Sequence, residues 1–516
     1  MSKRPAIGID LGTTYSAVAV LNHAGRPEVV PNVDGERITA SAVYFQQSGP
    51  VIIGNDAVNA AGGWPDRVVR WVKREMGNDQ WSFPVDGQVH GAVEISALIL
   101  KKVKQDTEQI LGPIDAAVIT VPAYFDELRR KATMDAARLA GLEVLRIINE
   151  PTAAALAYAS SGTILGKLLI YDLGGGTFDV SIVNVSSPSE VTVISSEGDH
   201  RLGGHDFDLR LAEHFDAKFR EEFGESLLDD PVSRHETLQE AERVKRTLSK
   251  LDSAPASLRK GGRSTGITVS RTEFEQLTHD LLVRTEMLVE NAMEGPGLRP
   301  SDIDGVVLVG GSTRLPAVQR MLQERFGKPP IRTVNPDEAV ALGASIQAAM
   351  ILAERGQSDL PAAAAREVAS INLSDVTNHS YGTIALEDNN GVMLLRNSII
   401  IPKSSPIPCS VTQSYYTVMD DQTELECRIT QGEDLDPEFV NILAAEIMEL
   451  PSGRPAQQEV AVTFSYDANG RMSCDFHDVA SGRRKHFDLD VNDAKDDRTT
   501  TGPNFGDIDF SDLDIL

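Results

Sequence analysis

Asp10-Leu11-Gly12-Thr13-Thr14 near the start of the chain returns in its middle as Asp172-Leu173-Gly174-Gly175-Gly176-Thr177, each time directly after a short apolar run. Ile7-Gly8-Ile9-Asp10 and Leu168-Leu169-Ile170-Tyr171-Asp172 have the composition of buried strands, and apolar runs resume at Ala17 to Val20 and Val180 to Val183. Each copy is therefore expected to be a strand, a Gly/Thr turn and a second strand. Glycines let backbone N–H groups approach phosphate oxygens, threonine hydroxyls add donors, and an Asp at a strand end can hold the water shell of a magnesium ion. One such turn alone reads as a hairpin. Two matched copies imply related halves that clamp a nucleotide.

The bulk properties narrow the class. The chain of 516 residues can hold three or four domain-sized units. A net charge of -27 argues against nucleic acid, which needs clustered Lys and Arg, but leaves ATP open. Cys409, Cys427 and Cys474 are few, odd in number and without metal spacing, so reduced thiols in the cytoplasm are expected. No signal-peptide core precedes Asp10, and the longest apolar stretch, Ala339 to Ala353, is too short to span a bilayer.

Strands alternate with helical segments from Ile7 to about Arg355, the pattern of an α/β region. Gly356 to Pro361 and the alanines to Ala365 read as a helix end and connector. Beyond Asp375 the pattern is β, in runs at Gly391–Leu395, Ser398–Pro402, Cys409–Thr417, Glu424–Ile429 and Val460–Tyr466, with a turn at Asp467-Ala468-Asn469-Gly470. The expected division is an α/β domain over 1–366, a linker over 367–376, a small all-β domain over 377–490, and an acidic, disordered tail over 491–516.

No Gly-x-x-x-x-Gly-Lys-Ser/Thr is present, and no Gly-x-Gly-x-x-Gly joins a strand to a helix, so the P-loop and Rossmann readings fail. A third glycine site, Gly310-Gly311-Ser312-Thr313-Arg314, follows the apolar run from Gly305 and precedes a helix through Phe326, whose N-terminus can receive a phosphate or ribose edge. A further helix is expected after Phe125-Asp126, closed by Gly141. Pro151 stands in the first turn of the next helix, which puts Glu150 at its mouth, where it caps the helix or orients a water.

Together with Val121-Pro122-Ala123-Tyr124-Phe125, Asn149-Glu150-Pro151-Thr152 and Val309-Gly310-Gly311-Ser312-Thr313-Arg314, the two cradles resemble the motifs of the heat-shock protein 70, or DnaK-type, chaperone family, in that family's order, from Ile7 to roughly Asp490. The resemblance implies a duplicated actin-like, sugar-kinase-like ATPase domain followed by a β-sandwich. It also implies ATP or ADP with Mg²⁺, and K⁺ as a further ion. Asp10 and Asp172 would organise the magnesium shell through water. Lys73, Glu150, Asp172 and Thr177 would be catalytic. Thr13, Thr14, Gly174, Gly175, Gly176 and Thr177 would hold the phosphates, with Gly12, Tyr15, Gly203 and Gly204 also binding the nucleotide. Glu242, Lys245, Arg246, Ser249, Gly310, Gly311, Ser312, Arg314 and Asp337 would hold the nucleoside. Pro122, Arg130, Ile371 and Leu373 would relay nucleotide state to the β-domain, with Tyr415, Val418 and Leu425 in its peptide groove.

The chain departs from the family in four places. His205 stands where the family has glutamate, which suggests a proton-dependent element in turnover. Asn372 and Ser374 replace linker leucines, weakening an apolar dock. The 26 residues after Asp490 leave no room for the family's helical lid, and the loop Leu386–Asn390 is polar. The lobe tip Leu251–Gly266 is short, which puts the exchange-factor contact in question. The expected partners are unfolded or extended apolar peptides or one specific client, and a J-domain co-chaperone. The competing readings are a slow nucleotide-gated interaction protein and a small-molecule kinase of the same fold.

Overall fold

The computed structural model describes residues 5, 7–162, 164–389, 392–467 and 472–489. They form two compact units. The first holds the residues up to Tyr124 and Ala132–Leu373; the second holds Phe125–Lys131 and the chain from Ser374. The anticipated turn residues Ala468–Gly470 and the tail over 491–516 lie outside the described residues.

The first unit is built twice on one topology. In one sheet the spatial order is Glu143–Asn149, Ala116–Val121, Ile7–Asp10, Tyr15–Leu21 and Pro27–Val30; in the other, Gly305–Val309, Gly166–Leu173, Phe178–Ser187 and Glu190–Asp199. Each cradle strand pairs antiparallel with the strand after its turn and parallel with a later strand: Ile9 opposes Val18 and Ile119, and Ile170 opposes Ser181 and Val307. Central strands covered on both faces must be apolar throughout, which is why these runs do not alternate. Behind the second sheet, helices Gly204–Phe223 and Pro231–Leu248 bury Phe207, Phe215, Phe219 and Val244 in its core.

The apolar stretch near residue 340 is helix Ala339–Glu354, buried almost all round, as a helix without a polar face must be. It crosses helix Glu150–Ser160 so closely that a Cβ on Gly343 would lie 1.6 Å from the Ala153 carbonyl oxygen. No helix among the described residues is long and apolar enough to cross a membrane. The alanines expected to act as connector instead form helix Ala362–Ala369, because alanine has the highest helix propensity and Ala364 and Val368 gain a buried face.

The second unit is a sandwich of two four-stranded antiparallel sheets. One runs Val392–Ile401, Tyr381–Asn389, Glu424–Gln431, Asn441–Glu449; the other Cys409–Tyr416, Glu459–Tyr466, Met472–Asp478, Arg484–Asp488. Strict alternation of buried and half-buried positions in Glu459–Tyr466 and Met472–Asp478 delivers Val460, Val462, Phe464, Cys474 and Phe476 to one core. The two runs read around Gly391 and Ser398 merge into one strand. The supposed loop Leu386–Asn390 is a strand as far as Asn389, where Glu387 pairs Leu394 and Asp388 pairs Met393. The polar residues there serve a solvent-facing hairpin rather than a turn.

Candidate nucleotide site

The two cradles face one another. A Cβ built on Gly175 would sit 2.0 Å from the Thr14 hydroxyl oxygen, so only glycine lets the turns meet. Between the halves opens a cavity of about 1070 Å³, and every residue expected to hold phosphate or nucleoside lines it except Gly176 and Gly203. Those two pack directly on each other beneath the cradle. Gly204 N–H donates to Gly174 O at 2.9 Å, and Ser312 Oγ–H donates to the same carbonyl at 2.9 Å, tying the third glycine site to the second cradle.

The chemistry concentrates at the cavity floor. Lys73, in the 3₁₀ turn Val72–Glu75, is buried and paired with Glu150, the first residue of its helix. Around that one ammonium lie four carboxylates: Asp10, Glu150, Asp172 and Asp179. Burial and then the Glu150 charge push Asp10 up to about 7 and Asp179 up to about 8, and the same two causes hold Asp172 well above the ordinary carboxylate range. The cluster is short of positive charge, and Asp179 Oδ2 is buried without a hydrogen-bond partner. A hard, oxygen-seeking divalent cation suits such a donor set. Among the described residues no three His, Cys, Asp or Glu side chains come close enough to hold a metal directly.

Asp179 was absent from the sequence-based site. It stands opposite Asp172 in the cradle hairpin and accepts from Tyr124 N–H at 3.2 Å. The signal was present: one acid inside the otherwise buried strand Phe178–Ser187.

At the nucleoside end the charged helix face is partly sequestered. Lys245 is buried, donating to Gly204 O and pairing with Asp208, both at 2.8 Å. Arg246 pairs with Glu242 at 2.6 Å and donates to Tyr15 Oη at 3.2 Å, joining the two halves. Ser249 caps the same helix, and Arg314 pairs with Asp337 at 2.5 Å.

His205 behaves differently from expectation. His205 is half-buried beside Arg74, Lys245 and Arg70, and burial first, then those cations, push it down to about 3. It therefore stays neutral through mildly acidic and neutral pH, and the proton-dependent role is withdrawn. Turnover by wild type and His205→Glu is expected to share one profile shape from about pH 5.5 to 7.5. A folded value below the ordinary 6.5 means stability that is full above pH 6.5 and lost as pH falls toward 3. Unfolding midpoints should accordingly show wild type losing stability relative to His205→Gln between pH 7 and about pH 5.

The remaining expected residues are separate from this cavity. Pro122 is buried; Ile371 and Leu373 are half-buried, and between them Asn372 N–H donates to Ser189 O at 2.7 Å. Arg130, in the second unit, donates from Nε to Phe125 O at 3.2 Å. Of the groove positions, Tyr415 and Leu425 are partly buried against the sandwich core, and Tyr415 also donates to Ser398 Oγ at 2.8 Å. Val418 is exposed. The segment from Leu251 forms the hairpin Ser253–Lys260 and Arg263–Ser270, turning at Gly261-Gly262.

A duplicated sheet with paired cradles, a buried lysine and a carboxylate cluster between them defines an actin-like nucleotide hydrolase. A family model described as "Hsp70 protein" matches residues 6–501. The "Chaperone protein DnaK" of Thermotoga neapolitana is 39% identical over 493 residues, covering 94% of this chain and 80% of that protein, and the protein of the same name from Thermotoga maritima matches to the same extent. The chain belongs to the Hsp70 family. It is an ATP-dependent molecular chaperone and an ATPase, which sets the kinase reading aside.

Proposed function

We propose that residues 1–366 hydrolyse Mg-ATP in the cavity between the cradles and that, through a linker at 367–376, this controls binding and release of extended apolar peptides by the β-domain over 377–490. The observation that carries the site assignment is the buried Lys73–Glu150 pair set among Asp10, Asp172 and Asp179. Phosphoryl transfer to water asks for positioning and charge stabilisation more than covalent help. Lys73 offers its ammonium to the γ-phosphate, Glu150 accepts a hydrogen bond from the attacking water, and the Thr177 hydroxyl lies beside the bond that breaks. Amides of Gly12 to Thr14 and Gly174 to Gly176 hold the β- and γ-phosphates, and the residues from Glu242 to Ser249 with Gly310 to Arg314 and Asp337 hold the nucleoside. Asp10 and Asp172 would hold Mg²⁺ through water, and the ion, when bound, would neutralise charge on the phosphates. The remaining carboxylate excess supports K⁺ as a second ion.

The β-domain supports a client surface at its exposed apolar residues. Leu386, Val392, Met393 and Leu395 crowd one hairpin, Tyr416 ends the strand Cys409–Tyr416, and Val418 and Met419 follow it. Such a surface fits unfolded or extended apolar peptides, or one client presenting such a segment. Pro122, Arg130, Ile371 and Leu373 are the relay in this reading. A J-domain co-chaperone and a cytoplasmic location complete it. The test is whether ATP speeds release of a bound apolar peptide from the full chain.

A further inference from the structure

Trp71 is the residue before the 3₁₀ turn that carries Lys73, and its backbone is left-handed, with φ 60° and ψ 22°. A bulky residue is rarely held there, because its Cβ crowds the neighbouring carbonyl. That backbone sets the indole at the cavity wall, where it stacks on the His205 ring with centroids 4.1 Å apart and planes 29° apart. The Arg70 guanidinium lies over the same indole at 4.4 Å from its centroid and reaches Glu242 at 3.6 Å. Arg74 pairs with Asp206 at 3.1 Å. Trp71, Arg70 and Arg74 belong to the half carrying the first cradle; His205, Asp206 and Glu242 belong to the half carrying the second.

His205 is also fastened to the phosphate end. It sits in the first turn of helix Gly204–Phe223, and its N–H donates to Gly175 O at 2.8 Å. A nucleotide held by both halves loses contacts when those halves part, and parting them breaks the stack.

We propose that Trp71 and His205 form an aromatic clasp across the nucleotide cavity that sets the rate at which spent ADP leaves. The inference rests on the nucleotide reading of the cavity. Neutral imidazole on indole is the face-to-face contact that both desolvates and orients the rings, and the surrounding Arg70–Glu242 and Arg74–Asp206 pairs hold the same seam. The helix N-terminus places the clasp one hydrogen bond from the cradle, so a shift of Gly175 as phosphate departs moves the His205 ring with it.

The experiment is release of a fluorescent ADP analogue, chased with excess ATP in Mg²⁺, from the full chain and from Trp71→Ala, His205→Gln and the double variant. Loss of the stack is expected to speed release by about three- to tenfold in each single variant, with the double variant no faster than the singles. Trp71→Phe keeps a ring and should release close to the wild-type rate, which separates loss of the contact from general loosening. Unchanged release in both single variants overturns the clasp, as do effects that multiply in the double variant. Failure of the wild type to bind the analogue at all would instead remove the nucleotide reading on which the clasp rests.

Discussion

Lys73→Ala is expected to lower single-turnover ATP hydrolysis by about 10²- to 10³-fold, the usual effect of removing one pre-aimed electrostatic group from a closed site. Among the described residues Lys73 is the cation paired with Glu150 in a cluster of four carboxylates, so its loss also strands Glu150 in the interior. Breaking such a buried pair from one side costs about 3–5 kcal/mol, and the variant should melt earlier without nucleotide. Lys73→Arg keeps the charge but replaces a compact ammonium with a planar fork, and should recover stability more than turnover. Hydrolysis by Lys73→Ala within about threefold of wild type would remove Lys73 from the chemistry.

The second large effect is on folding. Alanine exceeds glycine in helix propensity by about 1 kcal/mol, so Gly343→Ala in the middle of a helix would ordinarily stabilise. Here the added Cβ meets the Ala153 carbonyl oxygen at 1.6 Å, and the obstacle is backbone rather than a movable side chain. The two helices must separate, and because interiors are close-packed the cost is expected at about 3 kcal/mol or more, reversing the sign. Denaturant unfolding of the two proteins measures it. A midpoint equal to or above wild type would mean that the helices do not cross where the structure has them.

What the sequence disclosed follows from the range of the forces involved. The cradles were legible because phosphate binding needs glycine, threonine and aspartate at fixed local spacing after a strand, and that spacing survives in the chain as written. For the helix carrying Glu242, Lys245, Arg246 and Ser249 the nucleoside role came from the resemblance to the family, since a solvated charged face has the same spacing. The partners these residues find across the fold were not legible. Asp179 opposite Asp172, Asp208 beneath Lys245 and Trp71 on His205 are set by tertiary packing. So is the neutral state of His205, since burial and three cations decide it and none of them is adjacent in sequence. In the β-domain, alternation identified the strands, but it marked Tyr415 and Leu425 only as inward or outward. Which inward positions become core depends on the sheet they face. The segment ending at Asn389 was misread because polar residues suit both a turn and the exposed face of a hairpin.

Control of peptide binding in the second unit by the nucleotide in the first is the behaviour expected of this chaperone. It is tested by loading the full chain with a fluorescent extended apolar peptide and following its release after adding Mg-ATP or Mg-ADP. Coupling between two sites typically amounts to about 5- to 150-fold in affinity, so release in ATP is expected to be at least about fivefold faster than in ADP. In Lys73→Ala the accelerated release should persist for as long as ATP stays intact. Equal release rates in the two nucleotides, with both nucleotides bound, would contradict the account.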